Sequence, residues 1–399
     1  GPVEGTWVFG FFRDGKDAQE PVIIGTFGGI PEDGANPALG FNDPNGKYPL
    51  QTNLKEADTN RLARGSSILP VNDEDGEDSP SLIQKRNQLI CGVSGKIPGF
   101  SFLNSDGKYE GFDVDICKAF AAAIIGNTKN IQYRPLTAAE RFLAIKTGEI
   151  DLLSRNTTFT LSRDALGGNG LTFAPIVFYD GQGLLVKKDS GINSLKDLAN
   201  KSICVGSGTT TEQNINDTFE TLSLPYTPIK YQDLNQVIAG YLQGRCSAMT
   251  SDRSQLAAAR SSFKNPANHL ILDNVLSKEP LAPASSGSEQ QLADAMRWVV
   301  FALISAEEKG ITQSNIEYQV ELAKSNPKLK PLRRFLGIDG GLGEKIGLSN
   351  DFVINVIKAT GNYGEIYNRN LGKDSMVSIP RGLNKIYSKG GLLISPPFN

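Results

Sequence analysis

Two apolar patterns alternate along most of this chain. Short continuous apolar runs predict buried strands, and apolar residues recurring every three or four positions predict helices. Beyond residue 83 the order is regular. Gln88-Leu-Ile-Cys-Gly-Val reads as a strand, and residues 113–125 as an amphipathic helix with Val114, Cys117, Ala121 and Ile124 on one stripe. Ile131-Gln-Tyr-Arg-Pro-Leu is the next strand, residues 140–147 a helix that Gly148 ends, and Ile150-Asp-Leu-Leu-Ser a third strand. A strand over residues 180–188 then leaves this set, followed by a short helix at Ser194-Leu-Lys-Asp-Leu. Lys201-Ser-Ile-Cys-Val-Gly, a helix from Thr209, Tyr226-Thr-Pro-Ile-Lys-Tyr, a helix over 234–243 and Cys246-Ser-Ala-Met-Thr repeat the first order. Strand, helix, strand, helix, strand occurring twice predicts two similar α/β lobes with a cleft between them.

The pattern before residue 83 differs. Thr6-Trp-Val-Phe-Gly-Phe-Phe and Pro21-Val-Ile-Ile-Gly-Thr-Phe read as two strands joined through the turn Arg13-Asp-Gly-Lys, and Asn42-Asp-Pro-Asn-Gly-Lys is turn chemistry. Residues 1–65 are therefore expected to be a small all-β unit. Residues 66–82 carry five acids within six positions, flanked by Pro and Ser, and read as a solvated acidic linker. An ion-binding loop built on Asn72, Asp73, Asp75 and Asp78 is the alternative, but the spacing fits no EF-hand.

Composition narrows the function. A net charge of −2 supplies no field that recruits nucleic acid or an anionic membrane. The longest apolar run, near residues 119–125, is too short to span a bilayer. The single histidine, His269, stands in a loop before a strand and reads as structural, which weighs against a Ser-His-Asp triad or a histidine metal site. No catalytic residue, cofactor or metal is expected. The chain opens at Gly1 without a methionine or an export signal, so we expect a fragment or processed chain whose location its start does not reveal.

In open α/β sheets, ligands bind beyond the carboxyl ends of the strands. Ser207-Gly-Thr-Thr-Thr-Glu212 follows one such end, with Thr209 and Glu212 at capping-box spacing. It is an ordinary helix cap and equally an anion-binding helix start. Ser154-Arg-Asn-Thr-Thr-Phe-Thr-Leu-Ser-Arg163 follows another, offering hydroxyls at Thr157 and Thr158 and the guanidinium of Arg163. Asp252 ends a third, where an N-cap would also explain it. Together they supply a cationic clamp for a carboxylate and an anion for an ammonium, the two needs of an amino-acid zwitterion.

These segments resemble the general amino-acid-binding proteins of bacterial ABC transporters. Gly111-Phe-Asp-Val-Asp-Ile-Cys117, Leu152-Leu-Ser-Arg-Asn-Thr-Thr-Phe-Thr-Leu-Ser-Arg-Asp164, Phe178-Tyr-Asp-Gly-Gln-Gly183, Gly244-Arg-Cys-Ser-Ala-Met-Thr-Ser-Asp252 and Lys278-Glu-Pro-Leu carry the likeness, from about residue 83 to the end. The resemblance implies a type-2 periplasmic binding fold. One lobe would be residues 83–185 with 282–399 and the other 186–281, with crossings near Gly183-Leu-Leu-Val and Lys278-Glu-Pro-Leu. It also implies that Arg163 grips the ligand carboxylate with Thr158 and the Thr209/Thr210 helix start, and that Asn156 and Asp252 hold the ammonium. Phe100 and Tyr179 would be apolar walls, and Glu140-Arg-Phe142 either touches the cleft or is a plain amphipathic helix. The tail from residue 338 would lie over the first lobe. An L-amino acid and a membrane permease are the implied partners, and the periplasm the implied location. Of three possible cysteine pairings, the one keeping each bridge within a lobe joins Cys91 to Cys117 and Cys204 to Cys246, with four free thiols the alternative.

Gly5-Thr-Trp-Val-Phe-Gly-Phe-Phe, Gln19-Glu-Pro-Val-Ile-Ile-Gly-Thr and Gly40-Phe-Asn-Asp-Pro-Asn-Gly-Lys-Tyr-Pro resemble the OB-fold module of tailed-phage baseplate hub and spike proteins. That likeness implies packing against hub or spike neighbours through residues 1–65. It leaves a second reading of the whole chain as a virion structural protein carrying the two lobes as a passenger or adhesive part.

Overall fold

A computed structural model of the chain describes residues 7–12, 21–27 and 79–399. The chain divides into two units, residues 1–76 and 77–399. In the first, β1 (Trp7–Phe12) pairs antiparallel with β2 (Pro21–Phe27), Trp7 opposite Phe27 and Phe12 opposite Pro21. Register slips between Phe9 and Gly10, leaving Ile24 as the extra residue of a bulge. The expected turn at Arg13, the turn at Asn42 and the acidic stretch through Asp78 lie outside the described residues.

The second unit opens with α1 (Ser79–Arg86) and holds a five-stranded and a six-stranded array. The first runs β4-β3-β5-β13-β6, built from β3 (Leu89–Val93), β4 (Ile131–Pro135), β5 (Leu152–Leu153), β6 (Leu171–Phe173) and β13 (Ala284–Ser286). Strands β3, β4 and β5 are parallel, and β13 returns antiparallel between β5 and β6. The second runs β9-β8-β10-β7-β11, from β7 (Phe178–Lys187), β8 (Ser202–Gly206), β9 (Thr227–Tyr231), β10 (Ala248–Asp252) and β11 (His269–Ile271). Each array is therefore one lobe of a mixed α/β fold with a parallel centre, as the doubled pattern implies.

Strand β7 joins them. Its residues Gln182 to Val186 pair antiparallel with β10, whereas Phe178 to Gly181 pair with β12 (Lys278–Leu281). The chain thus crosses between lobes on two adjacent antiparallel strands. The first crossing lies ahead of Gly183-Leu-Leu-Val, because that stretch already belongs to the second sheet.

One helix departs from expectation. The helix α2 (Phe112–Ile124) is buried on every face except at Lys118, not along one stripe. One side meets the first sheet, and the others meet α8 (Gln290–Glu308), which comes after α6 (Leu234–Leu242) and α7 (Arg253–Ser261), and, beyond α9 (Ile316–Ser325) and α10 (Lys330–Phe335), α11 (Phe352–Thr360) and α12 (Tyr363–Leu371). The tail accordingly packs on the first lobe. Phe398 closes an aromatic cluster with Trp298 and Phe335, and Asn384 hydrogen-bonds both backbone groups of Tyr179.

Both expected disulfides form. Cys91 of β3 joins Cys117 of α2 with Cα atoms 6.2 Å apart, and Cys204 of β8 joins Cys246 with Cα atoms 5.6 Å apart. Each ties a strand to an element of its own lobe. His269 opens β11 and does not stand in the loop before it: its Nδ1 lies 2.7 Å from the Tyr241 hydroxyl, and its ring sits edge-on to Phe263.

Candidate functional site

Where the carboxyl ends of both central sheets meet, they enclose a cavity of about 60 Å³. The first lobe contributes Ser94, Arg141, Arg155, Asn156 and Thr158, and the second contributes Thr209, Thr210, Thr211, Thr250 and Asp252.

The cationic wall comes from the first lobe. Arg141 opens the short helix α3 (Arg141–Lys146), is 3% exposed, and donates from Nη1 to the Thr157 hydroxyl at 3.2 Å. Its Nε is buried without a partner. Arg155 donates from Nε to the Leu136 carbonyl at 2.8 Å, and Arg163, on α4 (Leu161–Asp164), donates from Nη1 to the Thr158 carbonyl at 2.8 Å. Arg141 and Arg163 both lie over the Phe142 ring, at 4.6 and 5.2 Å from its centroid. Among the described residues none of these three guanidiniums has a carboxylate within salt-bridge distance, whereas Arg333, Arg369 and Arg381 all do. Burial and the neighbouring Arg155 and Arg163 drive the Arg141 guanidinium well below its usual pKa, and burial takes Arg155 down to about 10. An anion would relieve that cost.

The opposite wall is acidic. Asp252 is 5% exposed and accepts a hydrogen bond from Gln255 at 2.9 Å. Burial, then Asp180 and Glu279, push its carboxyl well above the usual range, against the pull of Arg141 and Arg163. Burial also raises Asp180 to about 6 and Asp113, beneath the cavity, to about 7. A cation beside Asp252 would relieve this wall as an anion relieves the other.

Asn156 stands between them with a left-handed backbone, φ 37°, which Asn tolerates better than most residues. Among the described residues, both polar atoms of its buried amide lack partners. Such a side chain awaits a molecule offering a donor and an acceptor together. The expected capping at Thr209 is present, its hydroxyl accepting from the Glu212 N–H at 3.1 Å, while the Glu212 carboxylate reaches back to the Gly208 N–H at 2.9 Å. Helix α5 (Thr210–Thr221) therefore starts at the cavity wall.

Asn156, Thr158, Thr209, Thr210 and Asp252 thus line one space, and Arg163 stands behind it on Phe142. Phe100 and Tyr179 do not line it. Phe100 is fully buried against Phe112 and Phe178, in the core below, and Tyr179 sits on the crossing strand opposite Pro280. Arg141, Arg155, Asp180 and Glu279 were not singled out as ligand contacts. Of these, Arg141 was legible as one of two readings, and Glu279 stood inside a quoted motif without a role.

Residues 89–337 match the family model described as bacterial extracellular solute-binding proteins, family 3, and residues 1–98 match that of the Gp5 N-terminal OB domain. The general L-amino acid-binding periplasmic protein AapJ of Rhizobium johnstonii is 46% identical over 319 residues, covering 79% of this chain and 91% of that protein. The solved structure of an ABC transporter periplasmic binding protein from Brucella ovis, with glutathione bound, superposes with a TM-score of 0.76 at 42% identity, over 81% of this chain and 100% of that one. Protein Gp5 of Vibrio phage KVP40 is 61% identical over 74 residues, which are 18% of this chain and 17% of that protein.

Proposed function

The chain belongs to the bacterial extracellular solute-binding proteins of family 3, and from that premise we propose that its lobes close on a free L-amino acid and present it to the permease of an ABC transporter. The observation that carries this reading is the opposition, across one cavity, of guanidiniums without a carboxylate partner among the described residues to the buried Asp252. The ligand carboxylate lies against Arg141 and the first turn of α5, with the Arg163 guanidinium behind that wall. Its ammonium lies against Asp252 and the Asn156 side-chain oxygen. Charge-assisted bonds contribute about 1.5–3 kcal/mol each, enough in sum for micromolar capture without any chemical step. The periplasmic relative and the two disulfides support a periplasmic location, where disulfides persist.

The N-terminal unit supports a second role beside the first. Its likeness to phage Gp5 favours contact with hub or spike neighbours through residues 1–65, with the binding lobes as passengers. Calorimetry on the full chain with the twenty standard L-amino acids separates the readings. Micromolar binding without turnover supports the receptor; silence across the panel overturns it and leaves the structural role.

A further inference from the structure

Glu279 is the second residue of the second crossing strand, opposite Asp180, and is 1% exposed. Its carboxylate accepts four hydrogen bonds. Oε2 takes the Thr158 hydroxyl at 2.6 Å and the Thr210 hydroxyl at 2.8 Å, and Oε1 takes the Asn214 amide at 2.8 Å and the Ser277 hydroxyl. Thr158 belongs to the first lobe, Thr210 and Asn214 to α5 of the second, and Ser277 to the approach to the crossing. Glu279 does not line the cavity, whereas Thr158 and Thr210 do.

A hydroxyl carries one hydrogen and two lone pairs. Once that hydrogen is committed to Glu279, the oxygen can only accept from anything on its other side. From this geometry we propose that Glu279 is a positioning residue that turns the Thr158 and Thr210 hydroxyls into obligate acceptors, so that both face the ammonium of the bound amino acid and not its carboxylate. The inference rests on the amino-acid reading of the site and changes one part of it. The resemblance gave Thr158 and the start of α5 to the carboxylate. With their hydrogens held by Glu279, the two hydroxyl oxygens join Asn156 and Asp252 around the ammonium, and the guanidiniums and helix amides keep the carboxylate. The same four bonds fasten both lobes to one crossing strand.

Glu279→Gln tests this with little change of shape. The Gln oxygen still accepts from Asn214 and Ser277, but its Nε2 now donates toward Thr158 and Thr210, so their O–H hydrogens turn into the cavity against the ammonium. The probes are the tightest-binding of the standard L-amino acids and the acid lacking only its α-amino group, such as glutarate for L-glutamate. Both are measured calorimetrically on the full-length wild type and variant. The expected result is at least about a tenfold loss of affinity for the amino acid and less than about a threefold loss for the amine-free acid, narrowing the discrimination between them by about threefold or more. Equal losses for both probes would mean that Glu279 only holds the lobes, and would overturn the proposal. Thr210→Val, which leaves the crossing strands intact, should produce the same selective loss and carries the test if the Gln variant does not fold. Absence of amino-acid binding by the wild type would instead remove the amino-acid reading itself.

Discussion

Arg163 donates from Nη1 to the carbonyl oxygen of Thr158, at 2.8 Å, and so closes its own loop while its guanidinium lies over Phe142. The cation is 5% exposed and spends one donor on the backbone, leaving the rest of its fork for an anion. Arg163→Ala should lower amino-acid affinity by about a hundredfold or more, since truncating one partner of a buried charge contact costs about 2–5 kcal/mol. Arg163→Lys keeps the charge and loses the planar fork, and about a tenfold loss is expected. Calorimetry reads both. Unchanged affinity in the Ala variant would mean that Arg141 and Arg155 alone serve the carboxylate.

The bridges offer a prediction with a different readout. Cys91–Cys117 closes a separation of 26 residues and Cys204–Cys246 one of 42. Restriction of the unfolded chain by loops of this size contributes about 3–4 kcal/mol each. The Cys91→Ser/Cys117→Ser pair should therefore lower the melting temperature of the first lobe by several degrees, and reduction with dithiothreitol should reproduce the loss in the wild type. A reductant-insensitive melt would show that the thiols are unbridged in solution.

The doubled strand–helix order was legible because each strand there is a short apolar run and the helices keep a visible period. The all-round burial of α2 was not. Its Ala119, Ala122 and Ala123 stand off the expected stripe, and the helices packed on α2 lie far downstream, in Gln290–Glu308, Phe352–Thr360 and Tyr363–Leu371. Asp252 and Asn156 were readable as strand-end residues. Arg141 was ambiguous because Glu140-Arg-Phe142 fits an exposed helix equally well, and only tertiary packing buries its guanidinium. Phe100 failed for the opposite reason, since an aromatic beside a cleft motif looks like a wall until Phe112 and Phe178 enclose it. Glu279 stands in the Lys278-Glu-Pro-Leu motif, but its role was not legible, because its four partners come from three separate segments.

Asn384 ties the tail to the crossing. Its Oδ1 accepts from the Tyr179 N–H at 2.6 Å and its Nδ2 donates to the Tyr179 carbonyl at 3.1 Å, with the side chain 4% exposed. Asn384→Ala strands both backbone groups, at about 1–3 kcal/mol for a buried group left unpaired. Asn384→Asp keeps an acceptor for the N–H and should lose less. Chemical denaturation of the two variants gives the ordering, and an Ala variant as stable as the Asp variant would deny the tail any hold on the crossing strand.

Asp113 gives stability a pH dependence of known sign. Burial lifts its carboxyl to about 7, against the pull of Arg155 and of the Asn156 N–H, and its Oδ2 is buried without a partner. A carboxyl whose folded pKa lies above its unfolded value binds more protons folded than unfolded, so its contribution is present below the unfolded value near 3.8 and is lost as pH rises through about 7. Other carboxyls held below their usual range, such as Asp233 beside Lys96, act in the opposite direction, so the wild-type melt alone does not isolate the effect. Asp113→Asn does, because Asn mimics the protonated acid at every pH. Relative to wild type, the variant should gain melting temperature between pH 5 and pH 8 in the unliganded protein. Even one pH unit of the shift is worth about 1.4 kcal/mol, or roughly 2–4 °C. The measurement is a fluorescence melt of both proteins at the two pH values, and a difference that stays constant between them would mean that the Asp113 carboxyl remains charged throughout, held by Arg155.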